Sequence, residues 1–502
     1  MLGVVGVALT LAVVLSPPAP KLTSLLKGTT NLDALLRLHA KHGDAFNEIH
    51  CAATWTTLQK HQRSSAARIW LGDDITALRQ QTIDMARRDE LGGRAIATIA
   101  SAAVRSGARA KDASAAPLFS ALAEAALERT GEMNAQALSN TAWAFAKAGN
   151  ASPALFDALA KRAVVRLHQF NPQNLANTAW AYATAGIKSD VLFEAIAEEC
   201  AMRPKRLREF DEQHLSNLVW AYATAEHAAP ALFDAVAAEA APRAAEFEAQ
   251  GLSITAWAYA TAGHEAPALF AAIGEEARPR LREFTQQGLV NLAWASATAG
   301  RSDAKGLLDA LAAVATPKVA SFTAQNVANL AAPYALLGLA PPSLFAALAE
   351  TATPRLSDFS PPALTALACA FARAKHEAPA LWDGLEAAVE ARAFEFPPRC
   401  LAEVSWAFTT AGRPSQPVFD ALAAAAAARV TEFEPKELAT MGWAFARASF
   451  AVPRVWKLGW QEAAVAPDGP GVGLSDGGAL GGSSGSDSSS GMRGGGGWNP
   501  SD

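Results

Sequence analysis

The stretch RLHQFNPQNLANTAWAYATAG, residues 166–186, decides the fold. Phe170 leads into Asn171-Pro172, an N-cap residue followed by a proline at the first helical position, where the missing N–H costs nothing. The alanine-rich run through Trp180 then reaches Gly186, which supplies a left-handed stop. Ser189-Asp190 open a second helix through Leu192 and Phe193 towards Met202, and Pro204 closes it before Arg206-Leu207 lead on to Phe210. The segment predicts a helical hairpin.

The hairpin recurs along the chain. Trp143, Trp180, Trp220, Trp257, Trp294, Trp406 and Trp443 share one phase, with Ala332 and Cys369 in the two positions that lack tryptophan. The steps between these positions are 37, 40, 37, 37, 38, 37, 37 and 37 residues. Asp211, Thr285, Thr323 and Ser360-Pro361 repeat the first-helix start, and Pro153, Pro230, Pro267, Pro379 and Pro417 open second helices. A fixed period of this size marks a solenoid, in which each unit buries its apolar faces on its neighbours. The expected fold is therefore all-α, an α-solenoid of stacked helical hairpins. Such a scaffold offers a repeated surface and no catalytic pocket.

Composition agrees. Alanine saturation, 51% hydrophobic residues and few β-branched runs favour helix. The formal net charge is −5, of which the tail after Pro467 supplies most through Asp468, Asp476, Asp487 and Asp502 against Arg493. The body is thus near neutral, which disfavours bulk polyanion binding and makes any nucleic-acid site a matter of local charge placement. Cys51, Cys200, Cys369 and Cys400 are scattered with no CxxC pair, so neither a disulfide framework nor a zinc knuckle is expected.

With the tryptophan as position zero and 100° per residue, positions −5, −2, −1, +2, +3 and +6 form a wide apolar arc. Positions −7, −6, −3, +1 and +4 form the opposite arc, with the tryptophan on the border. Position −7 is Gln136, Gln173, Gln213, Gln250, Gln287 and Gln325, then Pro362, Arg399 and Lys436. Position −3 is Asn140, Asn177, Asn217, Ile254, Asn291 and Asn329, then Ala366, Glu403 and Thr440. Position −6 varies, and includes Asn174, His214 and Asn326. A constant amide beside a variable neighbour is what a one-base-per-repeat reader of single-stranded RNA needs. The plain alternative is a first-turn Gln and an Asn that bonds a neighbouring loop.

A basic row stands four residues before each repeat phenylalanine: Arg166, Arg206, Arg243, Arg280, Lys318, Arg355, Arg392 and Arg429, with Arg129 before Met133. One cation per repeat suits backbone phosphates. Against this, Glu209, Glu246, Glu283, Asp358, Glu395 and Glu432 lie three residues further on and can pair locally. The tryptophan row offers stacking platforms or plain packing. The row of Phe170, Phe210, Phe247, Phe284, Phe322, Phe359, Phe396 and Phe433 is core.

These residues carry a family likeness. The segments at 166–186 and 280–300, RLREFTQQGLVNLAWASATAG, resemble the octotricopeptide repeats of algal organelle RNA factors. They are also similar to the helical repeats of RNA-editing substrate-binding complex subunits and of a chloroplast translation factor. The likeness covers about residues 90 to 460. It implies an RNA-binding protein, not an enzyme, that acts on organellar transcripts in processing, stability, editing or translation. It also implies a chloroplast or mitochondrion as compartment, with the cytoplasm as alternative. Departures at Ala332, Cys369, Ala366 and Glu403 imply weaker or different binding by the later repeats. A small C-terminal RNA-associated domain, common among relatives, is not expected from GGSSGSDSSSGMRGGGGWNPSD.

The ends differ from the middle. Residues 1–20 read as an apolar leader: Met1 to Ser16 are uncharged, and Pro17, Pro18 and Pro20 then break the run. The leader is either the front of an organelle-targeting segment or a gene-model artefact. Residues 31–130 read as diverged repeats or a cap, with Trp55 in a helix and an insertion at 108–112. The solenoid is expected over 131–462 and a disordered Gly/Ser-rich tail over 466–502. His39, His42, His50, Cys51 and His61 lack any standard metal spacing, and no nucleophile elbow, HExxH or phosphate loop is present. Neither metal nor cofactor is expected, nor a small-molecule substrate or stable membrane insertion. The functional expectations are an RNA-binding solenoid, as its rival a protein-binding scaffold that grips an extended peptide through its Asn and Trp rows, and third a structural spacer with no ligand.

Overall fold

The computed structural model describes residues 19–62, 73–299 and 304–450. Most of the leader, the part of the expected solenoid beyond residue 450 and the expected tail lie outside the described residues. Within them the fold is all-α, with consecutive helical hairpins packed in series as an α-solenoid. No described helix is long and apolar enough to cross a membrane.

The chain divides into two compact units at Glu239 and Ala240. In the first, helices Ala19–Lys27 and Leu32–His42 precede the hairpins Glu48–Gln62 with Asp73–Arg87 and Gly93–Arg105 with Ala116–Arg129. Regular repeats follow: Ala135–Ala148 with Pro153–Arg166, and Pro172–Ala185 with Asp190–Ala201, extended by the short Pro204–Leu207. Glu212–Thr224 then precedes Pro230–Ala240. The second unit contains Ala249–Thr261 with Pro267–Arg280, Gln286–Thr298 with Ala304–Ala315 and Ala324–Leu336 with Pro342–Ala352. It continues with Pro361–Ala374 and Pro379–Arg392, Pro398–Thr410 and Gln416–Ala427, and Pro435–Arg447. The first helix of each hairpin, which carries the tryptophan position, is called A and the second B.

Local chemistry sets the helix ends. Asn134, Asn171, Asp211, Thr285, Thr323 and Ser360 each accept the backbone N–H three residues on, which satisfies a donor the helix cannot. Asn171 and Asn174 form a reciprocal capping box. Gly149 at φ +77° and Gly186 at φ +66° end their A helices in the left-handed region, where the N–H of Asn150 returns to the Phe145 carbonyl and that of Ile187 to Tyr182. A short 3₁₀ turn joins most B helices to the next A helix and ends on the repeat phenylalanine, which is buried in every case.

A helices lie against the A helices before and after them in each unit, and against their own B helices. The alanines at +1 permit this close approach: Ala144, Ala181, Ala221, Ala258, Ala295, Ala407 and Ala444 are fully buried. The aromatic at +2 ties A to B. Tyr222 donates its hydroxyl to the Phe193 carbonyl at 2.6 Å and Tyr334 donates to Leu308 at 2.8 Å. Burial pushes both phenols well above their usual pKa, so they stay protonated donors. Trp55 is also core. Its indole N–H donates to the Thr82 hydroxyl at 3.0 Å. The histidines near it are held as hydrogen-bonding groups: His39 with Gln81 at 2.7 Å, His61 with Thr29 at 3.0 Å. All four cysteines are free, and burial raises the Cys51 thiol to about 11 and Cys400 to about 12.

Candidate nucleic-acid interface

An A helix flanked on both sides keeps only a narrow strip of surface. Positions −7, −3, 0 and +4 fall within about 60° of arc at 3.6 residues per turn, and this strip is the one that reaches solvent. Positions −6 and +1, expected on the open face, point into the neighbouring A helix instead. This corrects the position of the face. Asn174 and Asn326 are buried, and Asn174 is used in the capping box, so neither reaches an external base. His214 is half-buried with its Nδ1 2.8 Å from an Asp211 carboxylate oxygen and its ring edge-on to Phe210. Burial lowers the pKa of its imidazole against the raising pull of Asp211 and Glu212.

The remaining strip carries amides and indoles. In the first unit it runs Gln136, Asn140, Trp143 and Lys147, then Gln173, Asn177, Trp180 and Thr184, then Gln213, Asn217, Trp220 and Thr224. In the second unit it begins with Gln250, Ile254, Trp257 and Thr261, then Gln287, Asn291, Trp294 and Thr298, then Gln325 and Asn329. Further on it changes character: Cys369 and Arg373 end one rung, and Arg399 pairs with Glu403 at 2.8 Å in the next. The Gln amides are half-buried or exposed, and Gln287 and Gln325 donate to Asn291 and Asn329 one turn along, at 2.7 and 2.9 Å. Asn177, Asn217 and Asn329 are deeper than the sequence implies, at 4%, 1% and 3% exposure.

Several polar atoms of this strip lack partners. Among the described residues, Trp143 Nε1, Asn177 Oδ1, Asn217 Nδ2 and the Oγ1 atoms of Thr224, Thr261 and Thr298 are buried without a hydrogen bond. Each such group costs about 1–3 kcal/mol, so their concentration on one strip of successive helices asks for a purpose. The strip is not a pure packing surface.

The indoles divide into types. Trp180 and Trp220 stack at 6.2 Å and 27°. Cations from the preceding repeat cover Trp143, Trp406 and also Trp180: Arg105 over Trp143 at 5.0 Å, Lys147 over Trp180 at 5.7 Å and Arg373 over Trp406 at 4.7 Å. The +4 row that supplies these cations was not singled out in the sequence, although lysine or arginine at +4 after Trp143 and Cys369 signals it.

The linker arginines do different work. Arg206, Arg280, Arg355, Arg392 and Arg429 each donate to the backbone carbonyl of the preceding unit's phenylalanine, respectively Phe170, Phe247, Phe322, Phe359 and Phe396. Arg166 donates to the Met133 carbonyl in the same way. Arg206, Arg243, Arg280, Arg355 and Arg392 also pair with the acid three residues on. The row thus staples neighbouring repeats, and the geometry favours this role over phosphate contact. Lys318, with Ser321 in place of the acid, is exposed.

The class is thus an all-α helical-repeat solenoid with a polar, aromatic strip along its A helices. The sequence model of the RNA-editing substrate-binding complex 6 protein family matches residues 84–239 and 201–462, and the chain belongs to that family. No curated protein matches the chain.

Proposed function

We propose that the protein is a binding subunit, not an enzyme, that holds single-stranded RNA along the A-helix strip within an RNA-editing assembly of a mitochondrion or chloroplast. The half-buried or exposed glutamine row, with Asn140, Asn291 and the part-exposed indoles of Trp220, Trp257 and Trp294, carries this reading. Amides offer both donor and acceptor to unpaired bases, and indoles offer faces on which bases stack. Family membership supports RNA and partner proteins as the molecules it meets. The neutral centre of the strip also suits an extended peptide, whose backbone amides the Asn row would grip.

Fluorescence anisotropy with a random-sequence 24-nucleotide RNA separates the two. RNA retention that weakens steeply between 50 and 200 mM salt is the expected result, on the order of tenfold or more for several phosphate contacts. No RNA retention, with salt-insensitive capture of neutral peptides, overturns the reading.

A further inference from the structure

If the linker arginines are occupied inside the fold, an RNA backbone needs other cations. The first unit supplies a cluster of them. Arg105 ends the helix Gly93–Arg105, and its guanidinium lies 5.0 Å from the Trp143 ring centre. Lys147 sits one turn after Trp143, and its ammonium lies 5.7 Å from the ring of Trp180. Between these helices the loop at Arg109 is fixed: Ala110 donates its N–H to the Ala148 carbonyl at 2.8 Å. Arg109 is positioned through one nitrogen, Nη1, which donates to the carbonyls of Val104 and Ala108 at 3.2 and 2.8 Å and leaves Nε and Nη2 for an anion.

We propose that Arg105, Arg109 and Lys147 form the phosphate-binding patch of the strip, which anchors the RNA backbone on the early repeats while amides further along meet bases. This rests on the RNA reading above. An indole beneath a long cationic side chain fixes its stem, so less rotamer entropy is lost when the head group meets an anion. Arg105 and Lys147 stand at the C-terminal ends of their A helices, with Arg109 in the loop after the first, and Lys147 holds the +4 place that Thr184 and Thr224 hold in the next two rungs of this unit. Among the described residues neither Arg109 nor Lys147 forms an ion pair with a carboxylate; Asp112 accepts from the backbone N–H of Arg109. Linker arginines, by contrast, mostly carry their own acid. Partial burial lowers the Lys147 pKa, and the Arg109 charge beside it lowers it further. Like charges held together in this way gain from an anion between them.

The test is the salt dependence of anisotropy with the random 24-nucleotide RNA, on the full chain carrying Arg105→Gln, Arg109→Gln and Lys147→Gln. A single strand contributes about 0.7 to the log–log salt slope per phosphate contact, so the slope should fall by about 2. Arg105→Lys, Arg109→Lys and Lys147→Arg together should keep it, and Arg280→Gln with Arg392→Gln should leave it unchanged. Lys147→Gln alone, on a half-exposed side chain, should lower it by about 0.7 even where the triple variant folds poorly. A wild-type slope in folded Gln variants overturns the patch but leaves RNA binding standing. Wild-type protein that retains no RNA overturns the proposed function itself.

Discussion

Asn217 shows what depth means for a single residue of the amide row. It is 1% exposed, and its amide nitrogen has no hydrogen-bond partner. A side chain selected for stability alone would be apolar there. Asn217→Leu should therefore raise stability by about 1 kcal/mol in urea unfolding, because it removes an unpaired buried polar group of similar size. The same variant should leave RNA retention unchanged, because a side chain this deep meets no base. A several-fold loss of retention would show that the amide is reached after all, and no gain in stability would show that it is paired. The amide rows were legible in the sequence as rows, but not their depth. Their exposure depends on how closely adjacent A helices approach, and the +1 alanines that set this approach look unremarkable in isolation. The Tyr222 and Tyr334 hydroxyls were missed for a related reason: an aromatic on an apolar arc reads as packing, and its carbonyl partner lies on another helix.

Among elements, the linker joins one repeat to the next. Arg392 donates to the Phe359 carbonyl at 2.8 Å and pairs with Glu395, an arrangement that Arg206, Arg280 and Arg355 reproduce. Arg392→Ala should cost about 1–2 kcal/mol of stability, the usual contribution of a charge-assisted hydrogen bond, and should be visible as a lower urea midpoint. Gly149 ends its A helix at φ +77° with open space where a Cβ would stand. Gly149→Ala should then cost about 1 kcal/mol through backbone strain alone. Sequence punctuation located these elements well: Asn171-Pro172 and Gly186 stand at the ends of the helix Pro172–Ala185. The arginine row was legible as regular spacing, yet its role was not. Spacing along the chain shows that acids follow three residues later, whereas the carbonyl acceptor lies 33 residues back.

On the scale of the whole molecule, the period fixed the class, since a unit of about 37 residues with two helices can bury its faces only against copies of itself. The exposed face was narrowed and turned by about 40°, from a broad arc through −6 and +1 to the strip through −7, −3, 0 and +4. A helix treated alone has one buried side; an A helix in a stack has three. The strip also changes along the chain, from amides and threonines in the middle repeats to Arg373, Arg399 and Glu403 later, which suits a different occupant there. Ultraviolet crosslinking of the full chain to the random 24-nucleotide RNA, with the attached peptides mapped by mass spectrometry, tests the central claim most directly. The account predicts crosslinks on A helices at Trp257, Trp294 and their strip neighbours. Crosslinks confined to B helices or to the 3₁₀ linkers would contradict it.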